Sequence, residues 1–315
     1  MGIDYSSKMP DLVFDYDAFF YPRDEDLPDP QVNPVLPGAR VPLRKVGIAP
    51  VDLPIVVLRR DGQTQLLQAE ASLYCSLDDP NAKGLNLSRL YLLMHEKIEN
   101  HLTIDGIRGA LKELAEKQGS KSAYCKLRFK YPWQQPALRS KGISGSPLLG
   151  HIAYKTELEG QYINGDSKFF LTVDYVYSST CPCSFELAYD ARKHRDQAAN
   201  AHSQRSVLKV KVQFNPDDIL WIEDIVELCR KTIPTEVQIV VKRRDEQAFA
   251  ELNGSNLLFS EDVCRLMYGA LDQWFEKGTV SDFSIAVEHF ESLHPWSAIA
   301  VTSKFDPSVK MGCLQ

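Results

Sequence analysis

At 315 residues, with 44% hydrophobic and 25% charged content, the chain has the composition of an ordinary soluble globular protein and is long enough for one large or two ordinary domains. No apolar run reaches bilayer length, and Met1-Gly2-Ile3-Asp4-Tyr5 lacks the basic and apolar regions of a signal peptide, so a cytoplasmic protein with no membrane partner is expected. The formal charge of −6 speaks against holding nucleic acid by the overall field and leaves room only for a local basic pocket.

Residues 1–44 combine seven prolines, from Pro10 to Pro42, with repeated Asp and no sustained periodicity, which reads as an amino-terminal arm. Beyond it, Pro54 to Arg60 and Gln63 to Cys75 flank Asp61-Gly62, a dipeptide that supplies the positive backbone angles of a tight hairpin turn. Leu87, Leu90, Tyr91, Met94 and Ile98 recur at helical spacing, and so do Ile107, Leu111 and Leu114 after the cap residue Thr103. Strands follow at 123–131, 152–158 and 169–177. A second cycle begins with the alternating strand Leu208 to Phe214, whose wet face carries Lys209, Lys211 and Gln213. An amphipathic helix follows over Ile219 to Cys229, and a strand is expected over Glu236 to Val241. After a loop come a long helix over Val263 to Trp274 and strands at 282–289 and 297–302. Antiparallel strands with helices laid on one face imply an α+β fold. The divisions expected are an arm over 1–44, a unit over 45–180 and a unit over 181–315.

Seven cysteines, at 75, 125, 181, 183, 229, 264 and 313, are an odd number scattered through core-like segments, so no disulfide framework is expected. Core packing accounts for Cys75, Cys125, Cys229 and Cys264. Cys181-Pro182-Cys183-Ser184 and Ala201-His202-Ser203-Gln204-Arg205-Ser206 are different: they set thiols and an imidazole at a strand exit and the next strand's start. Thiolate and neutral imidazole suit a borderline-soft divalent ion, and few protein ligands leave a position for water. Taken alone, a C-x-C pair is also compatible with two small buried side chains.

Three further segments bring carboxylates and an imidazole to element edges: Lys242-Arg243-Arg244-Asp245-Glu246, Ser260-Glu261-Asp262-Val263 and Phe290-Glu291-Ser292-Leu293-His294. In this order the segments resemble the type IB GTP cyclohydrolase family, whose pattern runs CPCS, AHxQRS, KRxDE, a glutamate opening a helix, and FESxH. The resemblance covers roughly Arg44 to Thr302, and includes Val46-Gly47-Ile48 and Lys83 to Arg89. Arg244 stands where the family commonly has Pro, Asn86 where it often has His, and the stretch from Cys181 to His202 carries an insertion such as Ala191 to Gln197.

The resemblance implies two tandem tunnelling-fold modules, a homotetramer with active sites between subunits, and conversion of GTP to 7,8-dihydroneopterin triphosphate and formate, the first step of folate biosynthesis. It implies a divalent metal (zinc, manganese or iron) held by Cys181, His202 and Glu246, with Glu291 as an alternative ligand or the orienter of His294. Such an ion lowers the pKa of water toward neutrality. Cys183 would tune or exchange with Cys181. His294 would act as general acid, since an imidazole titrates near neutrality. Glu261 would accept the paired ring N–H and amino donors of guanine, a pair that adenine lacks; by its position it could equally serve the start of a helix. Arg89, Arg139, Lys141 and Arg205 are the candidates for the triphosphate. Two rival readings stand beside this one: a nitrile reductase of the queuosine pathway with a nucleophilic cysteine, and a catalytically silent oligomeric binding module.

Overall fold

A computed structural model describes residues 38–99 and 101–305. Most of the expected arm, residues 1–37, and the tail with Cys313 lie outside the described residues. The described residues form one antiparallel sheet of eight strands in sequence order, β1 (Leu43–Leu58), β2 (Thr64–Leu77), β3 (Ser122–Lys141), β4 (Pro147–Ile163), β5 (Asp166–Thr180), β6 (Ser203–Phe214), β7 (Asp282–His289) and β8 (Ala298–Ser303). Among the same residues six α-helices connect them: α1 (Leu87–Met94), continued by a π-turn over His95–Glu99, α2 (Ile104–Gln118), α3 (Pro182–Arg195), α4 (Ile222–Thr232), α5 (Arg243–Gly254) and α6 (Ser260–Glu276).

Local chemistry explains the elements that the sequence announces. Gly62 sits at φ +81° in the β1–β2 turn, where Arg59 and Gln63 close the loop with a 2.8 Å backbone bond. Thr103 Oγ1 accepts from Gly106 N at 2.9 Å, and Gly119 ends α2 in the left-handed region. Thr103→Ala is expected to lower unfolding free energy by about 1 kcal/mol, the usual cost of a lost cap, in a denaturant titration.

One face of the sheet buries Leu53, Leu73, Leu127, Phe169, Val210 and Ile285 in a continuous apolar core. The helices cover that face, α1 and α2 over the first four strands and α4 and α6 over the last four. The opposite face is concave and charged. Its cleft of about 920 Å³ is lined by cross-strand pairs, with Arg128 bonded to Glu157 at 2.6 Å and Lys209 to Asp174 at 2.8 Å. Each pair is directly opposed in register, which is how a solvated strand face holds its charges.

Three segments depart from the sequence expectation. The stretch 236–241 is not a strand: it contributes a single bridge, Tyr177 with Glu236. Gln135, on β3, satisfies its backbone instead, donating to Val237 O at 2.8 Å and accepting from Ile239 N at 3.0 Å. Glu236 itself is buried and takes bonds from Tyr154 Oη, Gln135 Nε2 and Arg230 Nε, which tie α4 and the following loop to the sheet. The CPCS segment opens α3, and the expected insertion at 191–197 holds its last turn and its left-handed end at Asp196. Pro182 at the first helical position was the available signal for that helix. Finally, the charge run after Lys242 is the start of α5, not a loop.

Candidate active site

The ends of β5 and β7 and the start of β6 meet at one end of the sheet. Cys181 leaves β5 as the N-cap residue of α3, a half-buried free thiol, and its backbone N–H donates to His202 O at 3.3 Å. Ser184 Oγ accepts from His202 N at 3.1 Å, so two bonds pin the histidine backbone to the CPCS segment. The imidazole leads into β6, with Nδ1 3.1 Å from Gln204 Oε1 and 3.6 Å from Glu291 Oε2. No described residue bonds to His202 Nε2.

Beneath that ring lies a polar floor that sequence reasoning missed. Gln204 Nε2 donates to Ser179 Oγ at 2.8 Å, and Ser179 Oγ stands 2.7 Å from Ser206 Oγ. Gln204, Ser179 and Ser206 are all buried. Alternation along β5 and β6 places them: Ser179 is directly opposite Gln204, and Tyr177 opposite Ser206. The next strand adds His289, opposite Ser206, whose Nε2 is 2.7 Å from Tyr177 Oη. Burial pushes the His289 imidazole down to about 4, against the pull of the Glu261 charge, so the ring is neutral at physiological pH.

Glu261 stands exposed in the first turn of α6, close enough to this floor for its charge to act on His289. Bonds from its own backbone N–H and from Ser260 Oγ hold its carboxyl below the usual range, and keep it ionised. The helix start is served by its neighbour: Asp262 Oδ2 accepts from Phe259 N at 3.2 Å.

The other expected site residues make no side-chain bond to Cys181, His202 or Glu291 among the described residues. Glu246 is exposed in the first turn of α5, beside Asp245, whose buried carboxylate accepts from Arg139 N, Ser140 N and Lys242 N. Burial alone would raise the Asp245 pKa, but these bonds and that from Ser140 Oγ hold it well below the usual range. The same joint carries Lys141, exposed at the end of β3, and Arg139, which is paired with Glu251 at 2.7 Å. Arg89 is exposed on α1, a helix that packs on β1. Arg205 is exposed on β6, its backbone O accepting from Phe290 N at 3.3 Å. Cys183 is exposed on α3, and His294 is exposed with its ring stacked on Trp296 at 4.6 Å. Among the described residues, no three or more Cys, His, Asp and Glu side chains are gathered to hold a metal ion. Cys181, His202 and Glu291 thus share one corner of the fold, and among the described residues Glu246 is not gathered with them into a ligand set.

The family profile described as type I GTP cyclohydrolase folE2 matches residues 27–300. The chain belongs to this family. It is 39% identical over 284 residues to GTP cyclohydrolase FolE2 of Dinoroseobacter shibae, covering 89% of this chain and 75% of that one. GTP cyclohydrolase FolE2 of Paracoccus denitrificans is 37% identical over 300 residues, covering 94% and 90%. Among solved structures, uricase from Arthrobacter globiformis shares the fold with a TM-score of 0.50 over 88% of this chain and 97% of its own, at 8% identity. Membership of the cyclohydrolase family decides against the nitrile reductase and the silent module.

Proposed function

We propose that this chain works as a GTP cyclohydrolase through the corner formed by Cys181, His202 and Glu291, and opens the purine of GTP to release formate and 7,8-dihydroneopterin triphosphate. The observation that carries the reading is the family match over residues 27–300, with its CPCS, AHxQRS and FESxH segments adjacent at one end of β5, β6 and β7. Cys181 and His202 would hold a divalent ion, because a free thiol and an imidazole whose Nε2 has no partner among the described residues suit zinc, manganese or iron. When bound, that ion would acidify water and polarise the purine at a carbon that is otherwise poorly electrophilic. Glu246 is the third ligand of the proposed set, and has to approach from this chain or from a second copy.

Glu261, ionised in the first turn of α6, would receive the two donors of the guanine edge. His294, exposed and stacked on Trp296, would deliver a proton to the opening imidazole of the substrate. Glu291, which faces His202 Nδ1, is better suited to orienting that ring than to sharing its ion. Cys183 would tune Cys181, and Arg89, Lys141 and Arg205 would meet the triphosphate. Incubation with GTP and each metal in turn, with formate measured beside pterin fluorescence, tests the assignment. Release of formate without a pterin product, or no release with any of the three metals, would overturn it.

The same reading includes assembly. The strand pair, helices and strand pair of β1 to β4 are followed by those of β5 to β8, which supports two modules that meet between Ile163 and Asp166 rather than at the expected division between 180 and 181. Among the described residues β1 and β8 each carry a ladder on one side only, and open edges of this kind invite pairing with another chain. The reading takes the assembly as a homotetramer with sites between subunits, with interfaces of roughly 2,000 Å² or more that resist dilution. Light scattering is expected to give a tetramer; a fully active monomer would remove the shared-site reading.

A further inference from the structure

The geometry points to Gln204 as the positioning residue that sets the tautomer of His202, placing the ring proton on Nδ1 and leaving Nε2 bare for a divalent ion. The inference rests on the proposed metal site and assigns within it a role to a residue that carries no ligand atom itself.

An imidazole can bind a metal through a nitrogen only when that nitrogen lacks a proton, and the hydrogen bond made by the other nitrogen decides which one that is. At His202 the deciding partner is the Gln204 side chain, 3.1 Å from Nδ1. An amide can face an imidazole with either end, so its orientation needs an independent constraint. Ser179 does not supply one, because a hydroxyl donates or accepts equally well. Glu291 does. Its Oε1 lies 3.5 Å from the other end of the amide. A carboxylate oxygen only accepts, so the amino group of Gln204 has to face it; the reverse orientation would set the amide carbonyl against the carboxylate. The carbonyl therefore faces Nδ1, and two acceptors, Gln204 Oε1 and Glu291 Oε2, surround that nitrogen. Both favour a proton there.

The amide is also held rigidly. Gln204 is 9% exposed, and its amino group bonds to Ser179 Oγ at 2.8 Å, which is itself 2.7 Å from the fully buried Ser206 hydroxyl. Packing between β5 and β6 thus fixes the amide, the amide fixes the ring, and the backbone bonds to Cys181 and Ser184 fix the base of the ring. Such partners typically change metal affinity by about 10- to 100-fold when removed.

The test reads the tautomer directly, in metal-free protein labelled with 15N-histidine, by long-range proton–nitrogen correlation at a pH where the ring is neutral. His202 is assigned by its loss in His202→Ala. The wild type is expected to show the Nδ1–H form. Gln204→Leu, which keeps bulk and removes both amide groups, is expected to show a mixture of tautomers and to bind cobalt(II), used as a spectroscopic probe, about 10- to 100-fold more weakly. An Nε2–H ring in the wild type would overturn the inference, as would a Gln204→Leu protein with unchanged tautomer and cobalt affinity. The wild-type spectrum decides the question even where Gln204→Leu fails to fold. His202→Ala separates the two readings, because wild-type cobalt binding in that variant overturns the ligand assignment, whereas the Nε2–H form overturns the role of Gln204 alone.

Discussion

Cys181→Ser is expected to lower GTP-dependent formate release by more than about a hundredfold, since even partners that only orient a metal ligand cost about 10- to 100-fold. A serine hydroxyl is neutral and hard where a thiolate is anionic and soft, so it replaces the volume of the side chain without its affinity for zinc or iron. Global stability is expected to stay at the wild-type level or rise slightly. Cys181 is the N-cap residue of α3 and makes no side-chain cap bond, and serine is among the best residues at that position. The thiol is half-buried and outside the core, so no cavity opens. Formate release, metal content and melting temperature, measured together with metal supplied, separate a lost ligand from a damaged fold. Wild-type turnover in the variant would end the ligand assignment. Cys183→Ser, on an exposed side chain two residues along, is expected to be milder.

Glu261→Gln is expected to reduce GTP turnover by about 10- to 100-fold while bound metal and melting temperature stay unchanged. The substitution keeps the size of the side chain but turns an acceptor into a donor facing a guanine donor, a mismatch of about 1 to 3 kcal/mol once the base is bound and desolvated. Each 1.4 kcal/mol, roughly, is tenfold in rate. The position is a clean probe because Asp262 serves the start of α6. The matched change Asp262→Ala is expected to show the opposite pattern, a lower melting temperature with guanine recognition kept. Unchanged turnover with a lowered melting temperature in Glu261→Gln would make Glu261 a helix-start residue and return guanine recognition to another group.

Much of this protein was decided over short stretches of chain. The Asp61-Gly62 turn, the Thr103 cap, the alternation of β6 and the bounds of β7 are local. Each depends on backbone angles, one side chain or a period of two, and each stands in the fold where the sequence places it. The family motifs are legible in the same way, since residue types in a fixed order survive without any knowledge of distance. What stayed hidden depends on contacts across many residues. Helix α3 buries only Ala191 and exposes Leu187 and Tyr189, so it leaves no apolar stripe to read. The stretch 236–241 has the β-rich residues of a strand, yet Gln135, about a hundred positions earlier, takes its backbone bonds. At the site, the sequence could name Cys181, His202, Glu246, Glu261 and Glu291 but could not rank them. Tertiary structure brings Glu291 to the Nδ1 side of His202, sets Glu246 in the first turn of α5, and gives the bond from Phe259 N at the start of α6 to Asp262. A side chain's role is set by which of its atoms are already bonded, and that follows from how β5, β6 and β7 align in space.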